Sequence, residues 1–296
     1  MNKATAEIIA GLIPQRMARN RWRGRLRYGF FKSLQLRKKL RKVCDEPQYN
    51  LAICSIAKDE GPYIAEWIEW HISVGVEKFF FYDNGSTDNT RAVLEPYINK
   101  GIVEYVFFPG YRKQIAAYDD CIERHRFDTR WLAFIDLDEF IVPVKHATVT
   151  EFLQDMDCAG VEINWLTYGS SGQVEKSDSP VMKRFTKHSF FEHPINRHVK
   201  SIIDPRRVYC MSGCHEASRL SGVIVDSHGN AVTENFKRRE PQHDIIRINH
   251  YAVKSRQEFL EKQARGRASG KQRTVPDDYF ARYDLNDVEE HRSDND

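Results

Sequence analysis

Two aspartates spaced two apart, Asp136 and Asp138, follow the uncharged run Trp131-Leu-Ala-Phe-Ile135. Five residues without a charge read as a strand buried on both faces. Side chains at i and i+2 of an extended chain point to one side. The two carboxylates are therefore expected to share a face, with Glu139 on the opposite one. Paired carboxylates suit a hard cation, which takes oxygen ligands. A cation at the carboxyl end of a buried strand is well placed to hold a diphosphate. The chemistry this predicts is transfer of a group off a nucleotide.

The elements that must position these residues are legible upstream. Leu51–Ile56 reads as a buried strand, and Asp59-Glu-Gly-Pro62 opens a helix, with Pro62 in the first turn where its missing N–H is harmless. Ile64, Trp67, Ile68, His71 and Ile72 recur at helical spacing, and Trp67 and His71 are read as core-facing. Lys78–Tyr82 is a second strand running into Asp83-Asn-Gly-Ser-Thr-Asp88, where Asn84-Gly85 marks a turn and Ser86 or Asp88 can cap the next helix. Ile102–Phe107 is a third strand, Gln114–Arg126 a helix and Trp131–Ile135 a fourth strand. This alternation predicts an α/β fold with a mostly parallel central sheet flanked by helices. Such sheets bind ligands at the carboxyl ends of their strands, where Asp83 and Asp136 both stand.

Farther on, Thr148-Val-Thr-Glu151 and Ser255-Arg-Gln-Glu258 read as capping boxes, Gly160–Trp165 and Ile245–Asn249 as strands, and Tyr168-Gly-Ser-Ser-Gly172 as a flexible turn. Residues 173–242 are dense in Lys, Arg and His, among them Lys200, Arg206 and Arg207. Two readings stay open there, a solvated face and an anion site for the acceptor. Residues 286–296 read as a disordered polar tail.

A chain of 296 residues with 41% hydrophobic and 12% aromatic residues fills a proper core, which excludes wholesale disorder. Six cysteines are too sparse for a disulfide scaffold and read as buried free thiols in a reducing compartment. Cys210-x-x-x-Cys214-His215 could form half a zinc site, but no second half is evident. No run of eighteen apolar residues and no signal-peptide core occur, so the expected location is cytoplasmic, peripheral at the inner face of a membrane. Twelve of the 45 Lys and Arg residues fall in residues 16–42 without one acid, leaving 33 against 42 acids elsewhere. The net charge of +3 thus hides a basic arm on an acidic globule. The arm interleaves its cations with Trp22, Leu26, Tyr28, Phe30, Phe31, Leu34, Leu36 and Leu40. That composition fits an anionic membrane surface; a basic helix docked on the acidic remainder is the rival, and nucleic acid is not expected as a partner. The expected division is a basic amphipathic segment at 1–48, a catalytic domain at 49–272 and a C-terminal tail at 273–296.

Six stretches together resemble the GT-A glycosyltransferases, in their family 2-like and family 92-like branch. They are Ala57-Lys-Asp-Glu60 before Trp67-Ile-Glu-Trp-His71, Phe81–Asp88, Trp131–Phe140, Asn164–Gly172 and Ile248–Ser255. The resemblance covers about residues 50 to 270, and it is the order and spacing of these short motifs that make it specific. It implies a GT-A fold and a glycosyltransferase that is metal-dependent, using Mn²⁺ or Mg²⁺ and a UDP-sugar donor. Asp136 and Asp138 would then lie on ribose, metal and phosphates, and the metal would neutralise charge on the departing nucleoside diphosphate. Asp83 would sit near the nucleoside with Lys58 and Glu60. Gln114 would begin the helix bordering the phosphates. His250 would complete the metal shell, with His215 as its rival, and Lys254 would reach the diphosphate.

The resemblance favours inversion at the anomeric carbon, which calls for a carboxylate base. The Glu-Asp pair of family 2 is not evident, so Glu216, Glu162 and Asp178 remain candidates, Glu216 first because it adjoins His215. The acceptor implied is a glycan or glycolipid of cell-surface polysaccharide or lipopolysaccharide synthesis, and the sugar a hexose such as galactose or glucose. A nucleotidyltransferase also presents paired aspartates to a metal, but Leu51–Pro62 lacks a Gly-rich nucleotide loop. A non-catalytic transferase-like protein with a basic arm is the third reading.

Overall fold

The structure, a computed structural model, describes residues 22, 24–41, 46–264 and 276–290. Helix α1 (Phe30–Leu40) precedes β1 (Tyr49–Ala57), α2 (Gly61–Ser73), β2 (Lys78–Asp83), α3 (Thr90–Asn99), β3 (Val103–Phe107), α4 (Gln114–His125) and β4 (Thr129–Phe134). β1 pairs in parallel with both β2 and β4, and β2 pairs in parallel with β3. Strand residues alternate between two buried faces. Leu51, Ile53, Phe79, Phe81, Trp131 and Ala133 pack under α2, whereas Ala52, Cys54, Phe80, Tyr82, Leu132 and Phe134 pack under α4. The uncharged runs reflect this double coverage.

The second half extends the same sheet. β5 (Glu139–Pro143), β6 (Gly160–Thr167), β8 (Val199–Ile203) and β12 (Ile246–His250) complete the order β3-β2-β1-β4-β8-β6-β12-β5, with β11 (Ile224–Val225) on β6. Within this sheet five pairings are parallel and three antiparallel, so the expected mostly parallel α/β sheet is present. Smaller elements complete the chain: α5 (Val149–Leu153), α6 (Val181–Arg184), β7 (Lys187–His188), β9 (Val208–Met211), β10 (Ala217–Arg219), α7 (Arg256–Ala264), α8 (Pro276–Tyr283) and β13 (Val288–Glu289).

Helix α2 fixes the strand that follows the aspartates. Trp67 Nε1 donates to Glu139 O at 2.8 Å, and Trp70 Nε1 to Ile141 O at 2.9 Å. His71 is fully buried; its Nδ1 lies 2.7 Å from Trp67 O and its Nε2 accepts from Ile141 N at 3.2 Å. That pairing requires a neutral ring, and burial brings its pKa down to about 3. Trp67 and His71 are core residues, as read. Asp88 serves two helix starts, accepting from Gly61 N at 3.0 Å and Thr90 N at 2.9 Å.

Two expectations are corrected, and one open question is narrowed. The turn at 168–172 is not loose, because Ser170 N donates to Asp284 at 2.6 Å and Ser171 N to Asn286 at 2.8 Å. The groups that clasp it come from the stretch read as tail, which forms α8, stacks Tyr279 on Phe259 at 5.9 Å and pairs β13 with β7. Only 291–296 of that polar end, and 265–275 before α8, lie outside the described residues. Finally, much of the charge in 173–242 is matched internally: Arg184 with Glu258, Arg197 with Glu240, Arg206 and Arg207 with Asp204, and Arg239 with Glu162.

Candidate active site

β4 ends at Phe134, and the chain does not stay extended through the aspartates. Leu137 and Asp138 form a turn closed by Glu139 N donating to Asp136 O at 3.1 Å. This overturns the extended-chain argument for Glu139. Its side chain comes back to the same end of the sheet, where Asp136 N donates to Glu139 Oε2 at 2.8 Å. The turn also parts the two aspartates. Asp136 faces α4 and β8, and Asp138 faces β12 and α7.

Around Asp136, Gln114 Nε2 donates to Oδ1 at 3.0 Å and Tyr118 OH lies 3.3 Å from the same oxygen. Lys200 Nζ binds Oδ2 at 2.7 Å and reaches Glu139 Oε2 at 3.2 Å. Lys200 rises from β8 in the run Val199-Lys-Ser-Ile-Ile203 and is buried. Burial disfavours its ammonium, but Asp136 and Glu139 outweigh burial and hold its pKa well above the usual lysine value.

Asp138, Glu139 and His250 offer ligand atoms within 4.8 Å of one another, and Asp136 stands outside this group. β12 pairs with β5 so that His250 is registered with Glu139. Tyr251 N donates to Asp138 O at 2.8 Å, which locks the turn to the end of β12. His250 Nε2 is 3.8 Å from Asp138 Oδ2, and Lys262 of α7 also pairs with that oxygen. Burial opposes the Asp138 charge, but Lys262, His250 and Lys254 hold its carboxyl well below the ordinary range. Burial instead pushes Glu139 up to about 8, with Lys200 pulling down and Asp136 and Asp138 adding to the rise. Burial lowers His250 against the pull of Asp138, which favours a neutral, ligating imidazole.

Two carboxylates and an imidazole suit Mn²⁺ or Mg²⁺. Among the described residues Glu139 Oε1 and His250 Nδ1 are buried without a hydrogen-bond partner, so one carboxylate oxygen of the cluster is left with coordinating capacity. The donor set therefore fits such an ion. His250 is held by ring packing, with Trp165 at 4.0 Å and Tyr283 at 6.1 Å between centroids.

Beside the cluster a cavity of about 310 Å³ is lined by Asp59, Tyr63, Asp88, Lys176, Lys254 and Lys262, among others. Lys254 is buried in a left-handed conformation at φ 56°, with its ammonium 4.1 Å from the Tyr63 ring centroid. Ser255 and Glu258 form the reciprocal capping box that starts α7 and sets Lys262: Glu258 N donates to Ser255 Oγ at 3.2 Å and Ser255 N to Glu258 Oε2 at 3.1 Å.

Other expected site residues are dispersed. Asp83 is buried at the end of β2, accepting from Ser86 N at 2.8 Å and Tyr105 OH at 2.6 Å. Lys58 is half-buried, and Glu60 is buried with its N donating to Thr90 Oγ1 at 3.2 Å. Glu216 is half-buried on the arm between β9 and β10, and its backbone oxygen accepts from Ser212 N at 2.9 Å. His215 Nδ1 lies 2.7 Å from Val199 O, and its ring stands edge-on to Trp165 at 5.5 Å, outside the Asp138 cluster. Glu162 is taken up by Arg239, and Asp178 is exposed in a loop. Lys262 and Tyr118 belong to the site without any local sequence signal, Lys200 is singled out from sequence only as one of the many cations of 173–242, and Trp165 only within the stretches Gly160–Trp165 and Asn164–Gly172. For Lys200 the sharper signal is one lysine within an apolar strand, because a buried ammonium demands an acid partner.

The glycosyltransferase family 92 profile matches residues 50–280. A glycosyltransferase family 92 protein of Ricinus communis is 26% identical over 73% of this chain and 38% of its own length. A beta-1,4-galactosyltransferase of Caenorhabditis elegans, galt-1, is 27% identical over 71% of this chain and 50% of its own. The galactan beta-1,4-galactosyltransferase GALS2 of Arabidopsis thaliana is 30% identical over 54% and 34%. The chain thus spans half or less of the length of these relatives. Among solved structures, S. aureus TarS with UDP overlaps 53% of this chain and 47% of its own at 14% identity, with a TM-score of 0.37.

Proposed function

The chain belongs to glycosyltransferase family 92, and on that premise we propose that it moves a hexose, galactose first and glucose second, from a UDP-sugar to a glycan or glycolipid acceptor. The observation that carries this reading is the Asp138–Glu139–His250 cluster, with ligand atoms within 4.8 Å, between the Lys200–Asp136 pair and the lysine-lined cavity. The relatives named for beta-1,4-galactosyl transfer support galactose. A β-linkage made from an α-linked nucleotide sugar inverts the anomeric carbon. The acceptor is proposed to belong to cell-surface polysaccharide or lipopolysaccharide synthesis, with the protein working at the cytoplasmic face of a membrane. No helix among the described residues is long and apolar enough to cross one.

In this reading Asp138, Glu139 and His250 hold Mn²⁺ or Mg²⁺, with Asp136 toward ribose and phosphates. The ion would neutralise charge developing on the departing UDP. Lys254 and Lys262 face the cavity and would take the diphosphate once it draws them from Tyr63 and Asp138. Gln114, whose amide orients Asp136, would stand at the α4 N-terminus beside the phosphates. Asp83, Lys58 and Glu60 are assigned to the nucleoside side. Glu216 is the residue to test as the base that takes the acceptor proton.

The test is UDP release from UDP-galactose or UDP-glucose by purified protein with Mn²⁺. Release that is lost in Asp138→Ala is expected. No UDP from any sugar nucleotide, with or without Mn²⁺, would overturn the proposal. Pyrophosphate release from nucleoside triphosphates would mark a nucleotidyltransferase instead.

A further inference from the structure

The apolar residues of the basic arm divide between two faces of α1. One face is glued to the catalytic domain. Leu36 is buried with Tyr209, Cys210 and Leu220, and Tyr28, Leu40 and Phe127 pack around them. Arg27 donates to Met211 O at 2.9 Å and pairs with Asp119 at 3.4 Å, Arg37 reaches Tyr209 OH at 3.2 Å, and the Lys39 ammonium lies 4.5 Å from the Phe127 ring centroid. Just before the helix, Gly24 sits so close to Ser218 that a Cβ there would overlap it.

The other face carries large apolar side chains into solvent. Phe31 is 79% exposed, Phe30 53% and Leu34 40%, with Trp22 at 44% just upstream. Residues 30, 31 and 34 fall on one stripe of a helix, opposite the stripe of 33, 36 and 40. Lys38 is exposed on the same stripe and Lys32 is exposed at its flank, and Arg25 lies 4.7 Å from the Phe30 ring centroid and 5.3 Å from that of Trp22. Exposed rings at this density are not a monomer's ordinary surface.

We propose that this free face of α1 is a docking surface for an anionic lipid bilayer. The rings would enter the headgroup–acyl boundary while Arg25, Lys32 and Lys38 bind lipid phosphates. Charge selects this occupant. Residues 16–42 hold twelve cations and no acid, while everything outside them carries 33 bases against 42 acids. An anionic surface attracts the arm and repels the rest, which orients the molecule. A second copy of the chain offers no such match, because the same basic face would meet itself. Because α1 is packed onto the domain, deleting it would expose Leu220 and Tyr209, so point changes on the free face are the proper probe. This inference does not depend on the donor or the reaction.

The experiment is co-sedimentation of the full chain with vesicles of phosphatidylcholine alone and with added phosphatidylglycerol, at low and high salt. Binding to the anionic vesicles only, weakened by salt, is expected. Phe30→Ser/Phe31→Ser should weaken it by about tenfold or more, and Lys32→Gln or Lys38→Gln by about fivefold each. All variants should keep the wild-type melting temperature, since these side chains leave the domain. The proposal is overturned by equal binding to neutral vesicles, by no binding to either, or by anionic binding that the Phe30/Phe31 change leaves intact. A concentration-dependent dimer dissolved by the same change would also overturn it, assigning the face to a second copy.

Discussion

Lys200 Nζ stands 2.7 Å from Asp136 Oδ2 with its side chain 1% exposed, so a buried ammonium on β8 orients the acid that ends β4. The same ammonium reaches Glu139 at 3.2 Å, and Glu139 accepts from Asp136 N at 2.8 Å. The three residues form a closed ring of charge-assisted bonds at the seam where the sheet passes from parallel to antiparallel pairing. Asp136 thereby arrives pre-oriented, and its other oxygen is held by Gln114.

Removing that cation should be costly. Lys200→Met would leave the Asp136 and Glu139 carboxyls facing each other without the ammonium between them, and removing one partner of a buried ion pair destabilises by about 3–5 kcal/mol. The urea midpoint of the variant should fall accordingly, and adding Glu139→Gln should recover a large part of the loss. A single variant as stable as wild type would show that the ring contributes no net stability.

Lys262 competes with any cation for Asp138. It pairs with Asp138 Oδ2 and also donates to Ala252 O at 3.1 Å. Lys262→Met should bind Mn²⁺ alone about tenfold more tightly, a gain of about 1.4 kcal/mol. The same variant should bind UDP more weakly, because an ammonium facing the diphosphate is gone. Calorimetric titration with Mn²⁺ and then with UDP reads the two effects separately. Weaker Mn²⁺ binding would make Lys262 a support for Asp138 rather than its competitor.

The parallel half of this fold was legible because its signals are local. Uncharged runs bounded by Asn84-Gly85 and Pro62 marked strands and helix starts, and the observed β1, β2, β3 and α4 lie within two residues of the expected bounds. Asp138 and His250, which the motifs single out, lie 3.8 Å apart. What stayed hidden was non-local or depended on one turn. Treating 136–139 as extended sent Glu139 to the wrong side, since a single β-turn reverses the parity on which such reasoning rests. Lys200 and Lys262 lie 64 and 124 residues from their carboxylate partners, and no periodicity reports such pairing. The clasp of Asp284 and Asn286, just after α8, on the 168–172 turn is hidden for the same reason, because polar composition resembles a tail until its partner is known.

Trp165 should position His250. Its ring packs against His250 at 4.0 Å and against His198 at 4.9 Å, and His250 Nδ1 has no hydrogen bond among the described residues to fix the imidazole. A ligating histidine is usually oriented by an outer hydrogen bond, and losing such support costs about 10–100-fold in metal affinity. Trp165→Leu should therefore weaken Mn²⁺ binding by about that factor, whereas Trp165→Phe, which keeps a flat ring, should stay within about threefold of wild type. Mn²⁺ titration followed by electron paramagnetic resonance reads this without turnover. Equal losses in both variants would point to general destabilisation instead.

Stability should fall in acid through buried neutral histidines. His71 is fully buried with both ring nitrogens engaged, and burial brings its pKa to about 3, against about 6.5 for an exposed histidine. Its folded value is the lower one, so the unfolded chain binds the extra proton. The contribution of His71 is complete above about pH 6.5 and is lost as the pH falls toward about 3, at about 1.4 kcal/mol per pH unit. His215 and His243, each brought down to about 4 by burial, add to the loss over an overlapping window. Glu139 and Asp119, raised by burial to about 8 and about 6, take up protons in the folded chain and oppose part of this, so the urea midpoint of wild type should fall between pH 6.5 and pH 5 by less than the histidines alone would give. His71→Leu should be less stable at pH 7, because Ile141 N loses its acceptor at a cost of about 1–3 kcal/mol. The variant should nevertheless show a slope shallower by about 1.4 kcal/mol per unit below pH 6. An unchanged slope would remove His71 from the acid sensitivity of the fold.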